Sequence, residues 1–213
     1  MRNELAKIKY VYLLGIGGIG MSALARYFHA TGKEVVGYDK TATPLTLQLE
    51  EEGIDIHYID SIENIPVEIR NAQDKSEVLI ILTPAIPKDH QEWNYFIREG
   101  FGIVKRSKVL GLLTEGQTTL AVAGTHGKTT TSTMLAHILH SSGKNASAFL
   151  GGISSNFKSN LLIGRPTEND HLIVVEADEF DRSFLQLFPS IAVITSMDPD
   201  HLDIYGDHQE MLH

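Results

Sequence analysis

The chain has 213 residues, of which 42% are hydrophobic and 21% are charged, and its formal net charge is −9. This composition is that of a folded globular protein, and it excludes disordered and collagen-like chains. The negative charge argues against non-specific nucleic-acid binding, which needs clustered Lys and Arg. There is no Cys, and no apolar run reaches the roughly 18 residues of a membrane span, so we expect no disulfide, no membrane partner and a cytoplasmic location.

Strand-like and helix-like segments alternate along the first half of the chain. Apolar runs predict strands at 10–14, 34–38, 54–58, 78–82 and 102–104. Helical patterns lie between them, and the main ones are at 45–52 and 90–99. A further helix follows the first strand, with Met21, Leu24, Ala25 and Phe28 on one face, and Gly32 ends it. Strands that alternate with helices favour a parallel sheet covered by helices.

The same pattern begins again near residue 115. Strands are predicted at 118–123, 146–150, 172–175 and 191–195, and a helix at 129–140. We expect Met134, Leu135, Ile138 and Leu139 to form the buried side of that helix. The pattern therefore predicts two α/β domains in series, over 1–115 and 116–213.

The first predicted strand is followed by a G-x-G-x-x-G motif, formed by Gly15, Gly17 and Gly20 with Gly18 between them. Such glycines allow a tight turn and let a diphosphate approach the backbone amides at a helix N-terminus. Asp39 ends the second strand, where an acid can accept a hydrogen bond from a ribose hydroxyl. The motif predicts a nucleotide with a diphosphate and leaves open whether it is NAD or a UDP-linked ligand.

The second glycine-bearing loop runs from Gly124 to Thr130 with the sequence GTHGKTT, between a strand and a helix. It resembles a P-loop, in which Lys128 would contact the β- and γ-phosphates and Thr129 would bind Mg²⁺. The loop departs from the common form, because Val122 stands where that form has its first glycine. The pattern predicts a nucleoside triphosphate as the ligand.

Two acidic segments follow apolar strands in the second half. Glu176 begins the segment EADE (176–179), and a carboxylate at the end of a buried strand near a P-loop is a typical Mg²⁺ ligand. The segment DPDHLD (198–203) contains His201, which could bind a second cation with neighbouring acids to orient it.

These segments together resemble the N-terminal part of the Mur ligase family of bacterial cell-wall synthesis, and in particular its alanine-adding type. The resemblance rests on GIGGIGMSALA (15–25), GTHGKTTT (124–131), GGISSNFKSN (151–160), EADEFDRSFL (176–185) and TSMDPDHLD (195–203). It implies a Rossmann-like parallel-sheet domain for UDP-N-acetylmuramate over 1–115, and part of a P-loop-type ATPase domain over 116–213. A C-terminal domain that receives the amino acid would be missing, so we expect the chain alone to be inactive.

The resemblance also implies a reaction and a set of residues. ATP would phosphorylate the lactyl carboxylate of UDP-N-acetylmuramate, and the amine of L-alanine would attack the acyl phosphate to give an amide, ADP and phosphate. ATP and Mg²⁺ would be bound by the second domain, with metal ligands Thr129, Glu176 and His201. The ATP contacts would be Gly124, Thr125, His126, Gly127, Lys128, Thr129 and Thr130. The UDP-sugar contacts would be Gly15, Gly17, Gly18, Ile19, Gly20, Asp39, Thr83 and Asn160.

Several positions depart from the family pattern, and among them Phe180 and Arg182 replace smaller residues in the EADEFDRSFL segment. Thr83-Pro84 replaces a common Ser-Ser pair, and Pro84 has no N–H to donate. Ser196 stands where an Asn is common. Two other functions stay open: a ligase that recycles a muropeptide by joining a tripeptide to UDP-N-acetylmuramate, and an NAD-dependent oxidoreductase. The Gly-Lys-Thr loop argues against the oxidoreductase, because hydride transfer does not need it. The oligomeric state is not predicted.

Overall fold

The computed structural model describes residues 2–165, 170–178 and 180–198. The chain divides into two compact units, Met1–Val109 and Leu110–His213. Both are α/β, with sheets whose strands are mainly parallel, so the predicted fold class is confirmed. The described helices are too short or too polar to cross a lipid bilayer.

The first unit is built on a sheet of five parallel strands among the described residues, in the order β3-β2-β1-β4-β5. The strands are β1 (Tyr10–Leu14), β2 (Glu34–Tyr38), β3 (Asp55–His57), β4 (Val78–Leu82) and β5 (Ile103–Lys105). The helices are α1 (Arg2–Lys7), α2 (Ile19–Ala30), α3 (Pro44–Glu51), α4 (Val67–Arg70) and α5 (Gln91–Arg98), with 3₁₀ helices at Ile62–Asn64 and Lys75–Glu77. The strand order reverses at β1 and β4, and ligands of such sheets bind beside the carboxyl ends of the strands at that point.

The core of the first unit follows the apolar pattern of its strands and of α2. Met21, Leu24, Ala25 and Phe28 are all buried, which confirms the predicted face of α2. Gly32 then adopts a φ of +82°, and its N–H donates to His29 O, so the helix ends there. On the other side of the sheet, a buried cluster forms from strand residues and from the aromatic face of α5; it includes Tyr12, Leu14, Ile80, Phe96 and Phe101.

The second unit has a mixed sheet in the order β10-β6-β9-β7-β8. Its strands are β6 (Thr118–Ala123), β7 (Ala146–Ser154), β8 (Ser159–Leu162), β9 (Leu172–Glu176) and β10 (Ile191–Ile194). Helix α6 (Arg106–Thr114) leads into the unit, α7 (Lys128–Ser141) follows β6, and a 3₁₀ helix lies at Phe180–Gln186. Strands β10, β6, β9 and β7 are parallel, whereas β8 is antiparallel to β7.

The predicted buried face of α7 is partly wrong. Met134 and Ile138 are each 60% exposed, whereas Ser132 and Ala136 are fully buried. Leu135 and Leu139 pack against the core as predicted. The apolar side chains span a broad arc of this helix, about 200° at 3.6 residues per turn, so hydrophobic periodicity alone could not identify the inner face. The small residues allow α7 to approach the sheet closely.

Candidate functional site

The first glycine turn is anchored to both neighbouring strands. The N–H groups of Gly15 and Ile16 donate to Tyr38 O at the end of β2, over 2.8 and 3.0 Å. Gly15 has a φ of +88°, and a Cβ at this position would overlap the methyl group of Thr83, which follows β4. The turn therefore lies at the carboxyl ends of β1 and β4, where the strand order reverses.

Asp39 holds the next part of this turn. The Gly17 N–H donates to Asp39 Oδ2 over 2.8 Å, and the Thr41 N–H donates to Oδ1 over 3.2 Å. A Cβ at Gly17 would lie 2.8 Å from Oδ2 and 2.8 Å from a methyl carbon of Thr46. Asp39 thus positions the glycine turn directly, and its predicted contact with a ribose stays a prediction.

The turn ends at the N-terminus of α2, beside an arginine that was not predicted from the sequence. Gly18 is the N-cap and has no side-chain capping bond, and the first turn, which includes Ile19 and Gly20, contains no acid. A Cβ at Gly20 would lie 2.9 Å from Arg106 Cδ and 3.0 Å from Arg106 Cζ. A helix N-terminus and a guanidinium group both favour an anion, so this surface suits a diphosphate. Arg106 begins α6, far from the glycines in sequence, and no local motif marks it.

The loop between β6 and α7 has the form that the sequence predicts for phosphate binding. Gly124 and Gly127 adopt φ values of +113° and +82°, and Gly127 is the N-cap of α7. Lys128 Nζ donates to Gly124 O over 2.8 Å, which places the ammonium group inside the loop. Thr130 is exposed in the first turn of the helix. Backbone amides, a helix N-terminus and a cation therefore lie together, as a polyphosphate requires.

The same loop is fastened to the segment that follows β10. The Thr125 N–H donates to Ser196 O over 3.1 Å, and the His126 N–H donates to Ser196 Oγ over 2.9 Å. The Thr125 hydroxyl donates to Asp198 O over 2.8 Å. A Cβ at Gly124 would lie 2.5 Å from Thr195 Oγ1. Ser196, which departs from the family pattern, therefore holds the loop through both its backbone and its side chain.

Glu176 lies beside the loop at the end of β9. Its register partner in β6 is Val122, so the carboxylate lies at the strand end that leads into the loop. Thr129 Oγ1 donates to Glu176 Oε1 over 3.0 Å. Two adjacent ligand oxygens of an octahedral Mg²⁺ each lie about 2.1 Å from the ion and about 3 Å from each other. The distance between Thr129 Oγ1 and Glu176 Oε1 therefore fits one such ion. Ser132 Oγ and the Gly151 N–H also reach Glu176 Oε2, at 3.5 and 3.0 Å, and neither residue was predicted.

Two remaining candidates differ in what the structure shows. Asn160 is fully buried in β8, within the second unit. Its proposed contact with the substrate stays a prediction. His201 lies outside the described residues.

A buried polar cluster in the first unit was also not predicted from the sequence. It brings together Tyr12, His57, Asp60, His90 and Glu92, and donor atoms of the last three lie close enough to hold a metal ion. These side chains come from two strands, a loop and the start of α5, so no motif marks them.

The hydrogen bonds of this cluster favour a structural role over a metal site. Asp60 accepts from the N–H groups of Gln91 and Glu92 over 2.9 and 3.1 Å, and so caps α5. Glu92 accepts from the Ser61 N–H over 3.2 Å and bonds to Tyr12. Burial raises the pKa of the Glu92 carboxyl to about 7. The carboxylate oxygens of Asp60 and Glu92 that a cation needs are thus already engaged by the protein.

Models of one protein family match both parts of the chain. Residues 10–118 match the family model described as "Mur ligase family, catalytic domain", and residues 122–213 match "Mur ligase middle domain". A UDP-N-acetylmuramate–L-alanine ligase from Cytophaga hutchinsonii is 57% identical over 206 residues, which cover 97% of this chain and 44% of that protein. The chain therefore spans less than half the length of this curated relative.

Several solved structures are similar as well. The UDP-N-acetylmuramate-alanine ligase from Thermotoga maritima has a TM-score of 0.81 at 32% identity, with 95% of this chain and 45% of that chain covered. A UDP-N-acetylmuramate:L-alanyl-gamma-D-glutamyl-meso-diaminopimelate ligase from Neisseria meningitides also has a TM-score of 0.81, at 27% identity, with 96% and 65% covered. From the two family models and the phosphate loop with Glu176 beside it, we conclude that the chain belongs to the Mur ligase family.

Proposed function

We propose that the chain carries the nucleotide-sugar and ATP sites of an ADP-forming ligase that joins L-alanine to UDP-N-acetylmuramate. The observation that carries the proposal is the pair of oxygens on Thr129 and Glu176, 3.0 Å apart beside a glycine loop that contains Lys128. Family membership and the name of the relative at 57% identity support the same function.

In this proposal, residues 1–115 bind UDP-N-acetylmuramate. The N-terminus of α2 would bind the diphosphate through its backbone N–H groups, and the glycine turn, whose own N–H groups donate within the protein, would let the diphosphate approach. Asp39 keeps the turn in place through Gly17, and the Arg106 guanidinium lies over Gly20 on the same surface. The acidic chain would therefore meet its anionic substrate through backbone amides and one cation.

Residues 116–213 would bind ATP and prepare the phosphoryl group for transfer. Thr129 and Glu176 would hold Mg²⁺, with His201 as a proposed ligand of a second ion. The ion supplies positive charge that stabilises the phosphate oxygens as the γ-phosphoryl group is transferred. Lys128, now bonded to Gly124 O, would turn to the β- and γ-phosphates, and the loop amides that do not donate to Ser196 would contact them.

The reaction joins a carboxylate to an amine in two steps. An oxygen of the lactyl carboxylate attacks the γ-phosphorus of ATP, and ADP leaves with the electrons of the broken bond. The L-alanine amine then attacks the carbonyl carbon of the acyl phosphate, loses a proton and expels phosphate. The demands on this chain are positioning and charge neutralisation, since phosphoryl transfer needs little covalent chemistry from the protein.

The muropeptide ligase is the second candidate, because the Neisseria meningitides structure has the same TM-score as the alanine ligase from Thermotoga maritima. Both functions would use the same UDP-sugar and the same ATP site. The higher sequence identities, 57% and 32% against 27%, belong to relatives named as an L-alanine ligase and an alanine ligase. We therefore propose L-alanine as the amino acid.

Ligand binding to the 213-residue chain tests the proposal. A ligand at a hundred times its Kd stabilises a protein by about 2.7 kcal/mol, which raises the Tm by several degrees. We expect UDP-N-acetylmuramate and Mg²⁺-ATP each to stabilise the chain, as seen by thermal unfolding and by calorimetric titration. Stabilisation by NAD, with none from UDP-N-acetylmuramate, would refute the proposal.

A further inference from the structure

The carboxylate of Glu176 is held on both of its oxygens. Oε1 accepts from the Thr129 hydroxyl over 3.0 Å, on the side of the glycine loop. Oε2 accepts from the Gly151 N–H over 3.0 Å, and Ser132 Oγ lies 3.5 Å away. Strand β7 and helix α7 therefore fix which oxygen faces Thr129. Without the Gly151 contact, the carboxylate could rotate about its last bond or turn away from the loop.

Gly151 also leaves the space in which this carboxylate lies. A Cβ at position 151 would overlap Glu176 Oε1 and would lie 2.5 Å from both Cδ and Oε2 of Glu176, which is closer than Cβ contacts in real proteins. The backbone of Glu176 cannot easily give way, because β9 is paired with β6 on one side and with β7 on the other. A methyl group at position 151 would therefore move the Glu176 side chain, not the strand.

The effect of such a methyl group would not come from backbone strain. Gly151 is absent from the glycines of positive φ in the described part of the chain, so an alanine can adopt its backbone conformation. Gly152 provides a matched control in the same strand. A Cβ there would lie 3.4 Å from Thr129 Cγ2, an ordinary van der Waals distance, and Glu176 is not among its near contacts.

We propose that Gly151 is a positioning residue, which orients Glu176 so that Oε1 and the Thr129 hydroxyl bind the divalent cation of ATP. This inference rests on the proposed function. Gly151 acts through its N–H, which holds Oε2, and through its missing side chain, which admits the carboxylate. Neither role could be predicted from the Gly151-Gly152 pair in the sequence. Glu176 is distant along the chain and reaches Gly151 only when β7 and β9 pair.

The test compares Gly151→Ala, Gly152→Ala and Gly151→Ala/Glu176→Asp with the unchanged 213-residue chain. Mn²⁺ serves as the probe, and its affinity is measured by electron paramagnetic resonance with a non-hydrolysable ATP analogue. The affinity of the analogue without metal is measured by calorimetry. Changes around metal ligands typically cost about 10- to 100-fold in metal affinity, so we expect Gly151→Ala to weaken Mn²⁺ binding at least about tenfold. The affinity of the analogue measured without metal should change less than about twofold, because the substitution removes no contact with the analogue itself.

The controls separate positioning from folding. Gly152→Ala should bind Mn²⁺ like the unchanged chain. The double variant should bind Mn²⁺ more tightly than Gly151→Ala alone, because the shorter aspartate side chain makes room for the new methyl group. Unchanged Mn²⁺ affinity in Gly151→Ala, or no recovery in the double variant, would overturn the inference. If the unchanged chain fails to bind Mn²⁺ with the analogue, the proposed function fails, and the inference fails with it.

A second measurement holds even if Gly151→Ala does not fold. The amide proton of Gly151 should resonate downfield in the NMR spectrum of the unchanged chain, and should move upfield in Glu176→Ala, which removes its acceptor. The Gly152 amide serves as the internal reference. An unshifted Gly151 amide would show that the contact does not form, and would overturn the inference.

Discussion

Tyr12 lies in the middle of the first sheet, and its hydroxyl is 2.7 Å from both Glu92 Oε2 and His57 Nε2. A tyrosine has one proton to donate, so these two acceptors cannot both be served by it. All groups are satisfied if a protonated Glu92 donates to Tyr12, Tyr12 donates to His57 Nε2, and His57 Nδ1 donates to Ile59 O over 3.1 Å. Burial raises the pKa of Glu92 to about 7 and lowers the pKa of His57, which agrees with a protonated Glu92 and a neutral His57.

The first prediction is that Glu92→Gln removes a pH dependence of stability. The folded pKa of Glu92, about 7, is above its ordinary value of 4.5, so the folded state retains a proton that the unfolded state loses. Its stabilising contribution is full below pH 4.5 and is lost as the pH rises through 7. The amide of the introduced glutamine would imitate the protonated acid at every pH. The free energy of unfolding of the variant should therefore exceed that of the unchanged chain above pH 7, by up to about 3 kcal/mol.

Urea unfolding between pH 5 and 8.5 measures this difference. Trp93, the single Trp, lies in the first unit and packs against its core, so its fluorescence reports the unfolding of that unit. The lowered pKa values of His57 and His90 make the free energy of unfolding rise with pH, which is opposite to the effect of Glu92. Both histidines are present in the variant and in the unchanged chain, so their contribution largely cancels in the difference between the two. Glu51→Gln, at an exposed carboxylate of α3, is the control. Parallel pH profiles for Glu92→Gln and the unchanged chain would contradict the prediction.

The second prediction concerns Arg106 at the start of α6. If its guanidinium group contacts the diphosphate above Gly20, Arg106→Ala loses a charge-assisted hydrogen bond, which is worth about 1.5–3 kcal/mol. The Kd for UDP-N-acetylmuramate should then rise at least about tenfold in calorimetric titration. Lys108→Ala removes the same charge from an exposed position of α6 and should have little effect. Equal losses in the two variants would assign the effect to net charge rather than to a contact.

At the scale of elements, the sequence predicts strands well and the packing of α7 poorly. Strands β1, β2, β4 and β6 begin and end at the predicted residues, because each is a short apolar run closed by glycine or a polar residue. Strand β8 was not predicted: it is only 4 residues long, and its pairing with β7 passes through a turn in which Lys158 has a φ of +52°. Contacts between distant residues, such as Gly151 with Glu176 or Gly20 with Arg106, could not be predicted, since they arise only from the pairing and packing of whole elements.

The third prediction follows from the corrected face of α7. Ala136 is fully buried, so Ala136→Leu adds volume to a filled core and should cost about 1–3 kcal/mol. Met134 is 60% exposed, so Met134→Gln should change stability by less than about 0.5 kcal/mol. Hydrogen exchange of the α7 amides measures both effects locally. A large loss of hydrogen-exchange protection in Met134→Gln, with none in Ala136→Leu, would contradict this result and support the buried face that the sequence predicts.

At the scale of the whole molecule, the two units contain the same local arrangement, formed by different residues. In each, a strand leads into a glycine turn and then into the N-terminus of a helix, α2 or α7. Asp39 fastens the first turn, whereas Ser196 fastens the second. Because each unit has its own sheet and core, loss of one ligand site need not disturb the other.

The last prediction tests this independence with Lys128→Ala. The lysine is the cation inside the second loop, where it donates to the Gly124 carbonyl, and we expect its removal to affect ATP binding far more than structure. The Kd for Mg²⁺-ATP should rise at least about tenfold, the loss expected for charge-assisted hydrogen bonds to phosphate. The Kd for UDP-N-acetylmuramate should change by less than about twofold, because Lys128 bonds within its own loop and takes no part in the contacts that hold the first glycine turn. Lys144→Ala, at an exposed lysine beyond the end of α7, should leave both constants unchanged. If Lys128→Ala abolishes binding of both ligands, the two sites are coupled, and residues 1–115 and 116–213 do not bind their ligands independently.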